Sequence, residues 1–205
     1  MSRILGYGED ALTFWALRQR LSDILSVFDD KTSNSDCLIL YRPSFGRQSK
    51  ENGSVFGEFD AIIASQENVY LVESKWDKLS GFKEYKFALR KEQALRHRVL
   101  SWYLSRWSRK YLGKWASFVK QQQHDFKFNH KTIAPPQSLL AQNLEFALNR
   151  ILEHCKAFSS EENVKNVVLF FYRKGKSEPS SKIEKAFTFI PIDYSKVLQN
   201  NYVAL

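Results

Sequence analysis

The chain has 205 residues, 43% of them apolar and 15% aromatic, and a formal net charge of +9. Such a chain can bury roughly 70% of the surface its unfolded form exposes, so it reads as one ordered domain that needs no disulfide or metal staples. Its two cysteines, Cys37 and Cys155, form no CxxC pair, which argues against a disulfide framework or a zinc ribbon.

Apolar residues recur at helical spacing over 8–28, at Leu12, Trp15, Ala16, Leu21, Ile24, Leu25 and Phe28, and predict a first helix. The N-terminal segment lacks the apolar run of a signal peptide, and no stretch reaches the length of a membrane span. A cytoplasmic, intracellular protein without a membrane partner is the expectation. DDKTSNSD, residues 29–36, is a turn-rich break, and CLILY at 37–41 is a short strand. A polar loop follows over 42–54, carrying Arg42, Arg47 and Lys50, and then strands at about 55–64 and 69–76. Helical patterns run over about 83–107 and 108–122, and Pro135 and Pro136 mark a linker before a helix at about 138–157. NVVLFFY at 166–172 reads as a buried strand, and AFTFIPI as an edge strand interrupted by Pro191. The order predicts an α/β protein with a mixed central sheet flanked by helices, and an additional basic helical region.

The charge is concentrated. Residues 83–131 hold eight Lys and five Arg against three acids, a local excess of +10, while the rest of the chain sums to −1. An anionic partner is expected, nucleic acid before membrane. A solvated basic lobe is the plainer alternative.

The stretch GEFDAIIASQENVYLVESKWDK, residues 57–78, places charges inside two apolar strands. If the strands form a hairpin with an even-length loop, Ala64 faces Val69, Ile62 faces Leu71, Asp60 faces Glu73 and Glu58 faces Lys75. Side chains alternate across a sheet, so these eight residues share one face. Phe59, Ala61, Ile63, Tyr70, Val72, Ser74 and Trp76 take the other. Opposed carboxylates repel, and a divalent cation resolves the conflict. An odd loop would place Asp60 and Glu73 on opposite faces. The alternative is a Glu58–Lys75 ion pair with Asp60 and Glu73 at a solvated rim.

The pattern Asp60-x12-Glu73-Ser74-Lys75 after an apolar strand resembles the PD-(D/E)xK nuclease superfamily, whose restriction-endonuclease-like core has the order helix–β–β–β–helix–β. The resemblance covers roughly 8–105 and 166–172, lacks the proline of the motif because Phe59 precedes Asp60, and assigns no branch; the iron–sulfur branch needs four cysteines and is disfavoured. It implies that Asp60, Glu73 and the Ser74 backbone carbonyl hold Mg2+ or Mn2+, and that Lys75 serves the attacking water. It further implies that Glu9 on the first helix and Gln93 on the helix after the motif join the catalytic set, and it admits a homodimer.

Lys83, Lys86, Arg90, Gln93 and His97 lie at spacings of three and four and read as one stripe on that helix, suited to phosphates. Together with Arg42, Arg47 and Lys50 they are the expected nucleic-acid contacts. Trp102, Trp107 and Trp115 read as core. The expected function is metal-dependent hydrolysis of phosphodiester bonds, in DNA, as in restriction, repair or recombination. The alternative is a non-catalytic nucleic-acid-binding or complex-assembly module on a degenerate nuclease-like fold.

Overall fold

The computed structural model describes residues 4–45, 57–77, 89–128, 132–175, 186–199 and 202–205. Its central sheet has five strands: β2 (Leu38–Tyr41), β3 (Ala61–Ala64), β4 (Val69–Trp76), β5 (Val164–Tyr172) and β6 (Thr188–Asp193), in that spatial order. β2, β3 and β4 are antiparallel neighbours, and β5 and β6 add in parallel. The change of direction follows from the connections. A short turn can only return β3 antiparallel into β4, whereas the helical crossover after β4 brings β5 back parallel. β4 sits in the middle, with seven of its eight residues buried. β6 is the edge, where Pro191 costs no interior ladder bond.

Helices cover both faces. The first helical pattern is two helices rather than one: α1 (Gly8–Gln19) and α2 (Leu21–Ser26), broken where Arg20 leaves the helical region at φ −125°. Their Leu12, Ala16, Leu21, Ile24 and Leu25 pack on Ala61, Ile63, Tyr70, Val72 and Val167. On the opposite face, Ile62, Ala64, Val69 and Leu71 pack against α3 (Lys91–Arg106) and α5 (Leu139–His154). Burying each such Leu, Ile or Val contributes about 1.5–3 kcal/mol, so the alternation of two apolar faces is the main force fixing the strand register.

The second half of the predicted helical run shortens to a single 3-10 turn at 109–111 and α4 (Trp115–Gln122). Between them Gly113 takes φ +66°, a conformation that favours glycine and ends helical continuation. Trp102, Trp107 and Trp115 are core, as expected, stacking among Tyr103, Tyr111, Phe118 and Phe126. The polar edges of two of them are anchored too: Trp107 Nε1 donates to Asn149 Oδ1 at 2.8 Å and Trp115 Nε1 to the Ala134 carbonyl at 2.8 Å. α5 starts after the proline pair with Ser138 Oγ accepting from Ala141 N at 3.1 Å, an ordinary N-cap.

One element has no counterpart in the sequence reading. β1 (Leu5–Tyr7), β7 (Leu198–Gln199) and β8 (Tyr202–Ala204) form a small antiparallel sheet in the order β1-β8-β7. Strands of two or three residues are too short for periodicity to reveal. Their position matters, because β1 leads directly into α1 through Gly8 at φ +81°. No helix among the described residues is long and apolar enough to cross a membrane.

Candidate active site

The β3–β4 register is the even-loop one: Ala64 faces Val69, and Ile62 faces Leu71. The turn keeps pairing one step further, with Ser65 N donating to the Asn68 carbonyl at 2.9 Å. At the other end the ladder stops at the Ala61–Val72 pair. Along β4, alternate residues direct their N–H toward β3, so Ser74 and Trp76 face a side from which the partner strand has gone. Two carboxylates take its place. Asp60 Oδ2 accepts from Ser74 N at 2.6 Å, and Glu9 Oε2 accepts from Trp76 N at 2.8 Å. The Ser74 carbonyl shares the direction of its N–H and opens onto the same gap.

Departure from the ladder corrects several expectations, and the first is that Asp60 pairs directly opposite Glu73: it lies beyond the last pair, Ala61–Val72, and reaches the Ser74 N–H instead. The strand before the turn is four residues long, not ten, since the backbone bends at Asp60. Phe59 therefore does not follow the alternation; it packs on the α3 side against the His97 ring, 5.1 Å between centroids. Glu58 does not oppose Lys75. It bridges to Ser44 and accepts from Arg42 at 2.9 Å. Nor is Glu73 at a solvated rim: it is 2% exposed.

Glu73 points from β4 toward α3, which presents three side chains to it. Gln93 Nε2 donates to Glu73 Oε2 at 2.7 Å, Arg96 Nη2 donates to Oε1, and His97 Nε2 lies 3.5 Å from Oε1. Gln93 is held in turn, because its Oε1 accepts from Arg90 N at 3.1 Å in the first turn of the helix. Arg96 was not among the expected site residues. Its signal was present in the sequence, since it stands three residues after Gln93 and hence on the same helical face. His97 was expected on an exposed phosphate-tracking stripe. It is instead fully buried, its Nδ1 2.8 Å from Asn166 Oδ1 on β5, and its ring lies between Phe59 and Phe187. Of the expected stripe, only Gln93 and His97 lie on α3 among the described residues, and both turn inward to serve Glu73.

Glu9 comes from the first turn of α1, where Gly8 redirects the chain. The helix is seated on β4 by Thr13, whose Oγ1 donates to the Glu9 carbonyl at 2.8 Å and lies 2.7 Å from Ser74 Oγ. Burial pushes Glu9 up to about 7, helped by the Asp60 charge and opposed by Lys75. Burial and the Glu73 charge push Asp60 up to about 6, against the pull of the Ser74 N–H, Lys75 and Arg96. Glu73 moves the other way: burial would raise it, but His97 and the Arg96 guanidinium outweigh burial and hold it below the ordinary carboxylate range. Lys75 is half-buried, and its charge is felt at all three acids.

Glu9, Asp60, Glu73, Lys75 and Gln93 are thus drawn from four elements into one neighbourhood. Of the expected nucleic-acid contacts, Arg42 is exposed on the same side, with φ +48°, and joins Asp10 to Glu58. Arg90 is exposed at the start of α3. Arg47, Lys50, Lys83 and Lys86 lie outside the described residues. Among the described residues, no three His, Cys, Asp or Glu side chains converge as a ready-made cation cage. The fit to a hard cation therefore rests on two carboxylates, Asp60 and Glu73, and the Ser74 carbonyl. Such all-oxygen partial sets suit Mg2+, which keeps several waters. Comparison of the chain with protein-family models, with curated proteins and with solved structures returns no match.

Proposed function

We propose that the chain is a metal-dependent nuclease that hydrolyses phosphodiester bonds in DNA. The observation that carries this reading is the replacement of a ladder partner by carboxylates: Asp60 and Glu9 cap the two β4 N–H groups beyond the end of β3, with Glu73 and Lys75 on the same strand. Acids buried together with raised proton affinity are a recurring property of functional sites. The mixed five-stranded sheet, with α1 before it and α3 after the Glu73–Lys75 strand, is the arrangement the PD-(D/E)xK resemblance implies. Its restriction-endonuclease-like topology is part of the proposal.

Asp60, Glu73 and the Ser74 carbonyl would hold Mg2+ or Mn2+, which when bound polarises a phosphate oxygen and acidifies water. Lys75 orients the attacking water or accepts its proton. Glu9, with its proton affinity near neutrality, can hold or release a proton beside Asp60. Gln93 fixes the Glu73 carboxylate, and His97, tied to Asn166, backs it. The exposed basic residues of α3 and of the segment leading into α4, among them Arg98, Arg106, Arg109, Lys110 and Lys114, supply the surface that neutralises the DNA backbone.

One observation favours a second reading, a binding or assembly module without chemistry. Both Glu73 oxygens already accept hydrogen bonds from the protein. Incubating plasmid and branched DNA with the protein and Mg2+ or Mn2+, beside Asp60→Ala and Lys75→Ala, separates the two. Cleavage that needs metal and disappears in both variants supports the nuclease. DNA binding without cleavage under every condition supports the module.

A further inference from the structure

We infer that Arg96 is a latch on the cation site: its guanidinium holds Glu73 while the metal is absent, and the metal must compete with it. The inference rests on the nuclease reading above, and concerns how the same site is kept ready.

The Arg96 side chain is only 13% exposed and that of Glu73 only 3%, so this is a largely buried ion pair. A buried carboxylate with no counter-charge is strongly destabilising, and of the three α3 side chains on Glu73 only the guanidinium is charged at every ordinary pH. Arg96 supplies the compensation. It does so through one oxygen, with the guanidinium lying over the Phe59 ring, 5.1 Å from the centroid. Among the described residues, the buried Nε has no hydrogen-bond partner. Guanidinium makes five N–H donors available, so this is a fork incompletely satisfied in its present place.

The surroundings are shaped around that fork. Gly57 passes so close that a Cβ there would sit 2.5 Å from Arg96 Nη1, with Arg96 Cζ and Cδ its next neighbours. A Cβ at 57 could not coexist with the guanidinium in its present place, so the guanidinium would have to shift. Glycine at this point therefore preserves the latched position. A cation at Asp60, Glu73 and the Ser74 carbonyl meets Arg96 in two ways. The guanidinium occupies Glu73 Oε1, and its positive charge repels a divalent ion wherever on Glu73 that ion binds. Metal affinity is reduced by the latch, and the metal-free fold is stabilised by it.

The test uses the full-length chain, stripped of metal and titrated calorimetrically with Mn2+, as wild type, Arg96→Met, Gly57→Ala and Asp60→Ala. Arg96→Met keeps the side-chain length and removes the charge. It is expected to bind Mn2+ about tenfold tighter or more, because the cation no longer displaces a buried ion pair. Its metal-free melting temperature falls, and Mn2+ raises it by more than in wild type. Gly57→Ala keeps the charge but displaces it, and shifts affinity and melting in the same directions; it decides the question if Arg96→Met does not fold. Wild-type binding that depends on Asp60, with unchanged or weaker binding in Arg96→Met or Gly57→Ala, overturns the latch and leaves the metal site standing. Absence of Mn2+ binding in every form overturns the metal site and the latch with it.

Discussion

Where β3 ends, carboxylates substitute for a strand, and the substitution has a measurable proton signature. Glu9 and Asp60 hold protons in the folded chain at pH values where the unfolded chain has released them, between their ordinary values near 4 and about 6 to 7. The native state then binds more protons than the unfolded state, so stability falls as pH rises across this window and levels off above it. Urea unfolding of the metal-free protein from pH 4 to 8 should show that decline, and Glu9→Gln should flatten it. A second expectation belongs to Lys75. Lys75→Met should lower metal-dependent cleavage by about 100-fold or more, the usual share of a positioned acid–base group, while leaving DNA binding intact. Asp60, Glu73 and Lys75 stand out in the strand alternation, whereas Glu9 and Gln93 entered only through the PD-(D/E)xK resemblance; the structure places all five near one another. Arg96 was legible only as a neighbour of Gln93, and the inward turn of His97 was not, since helical spacing shows a face but not what that face meets.

At the level of the element, the register of the β3–β4 hairpin decides everything about the site, and its turn sequence is a poor one. Gln66–Glu67 lacks the residues that favour a two-residue hairpin. The register is held from outside by Asp30, in the loop after α2. Its Oδ2 accepts from Ser65 Oγ at 2.6 Å, Tyr70 OH at 2.6 Å and Asn68 Nδ2 at 3.1 Å, and its Oδ1 from Thr32 N at 2.9 Å. Burial would raise this carboxyl, but the Ser65, Tyr70 and Thr32 donors outweigh it and hold it well below the usual range. The sign is opposite to that of Glu9. The stabilisation is complete above the ordinary Asp value and is lost as pH falls toward the depressed one. Asp30→Ala should cost about 3 kcal/mol at pH 7, through the stranded donors, and make the acid limb of the stability curve shallower. Chemical unfolding at pH 7 and pH 3 measures both. Nothing in the local sequence pairs Asp30 with Tyr70, because their contact depends on the packing of the α2 loop over the sheet.

For the whole molecule, the charge asymmetry becomes a surface. Arg98, Arg106, Arg109, Lys110, Lys114 and Lys120 are exposed on the described part of the basic helices, while the tryptophans between them turn into the core. Affinity for duplex DNA should fall with salt, with a log–log slope of about −0.9 per neutralised phosphate. Replacing Arg106, Arg109 and Lys110 by Gln should make the slope shallower by about 0.9 for each that contacts a phosphate, measured by fluorescence anisotropy. The sequence by itself determined the layered α/β class, the apolar faces of β3 and β4, the basic concentration and the acidic candidates, since these follow from local periodicity and composition. Only the tertiary structure decided that β3 stops at Ala61 and that Glu9 crosses from α1 to cap Trp76. It also decided that α3 turns Gln93, Arg96 and His97 onto Glu73. The physical reason is that a buried carboxylate is governed by the partners that reach it, and in this chain those partners come from segments distant in sequence.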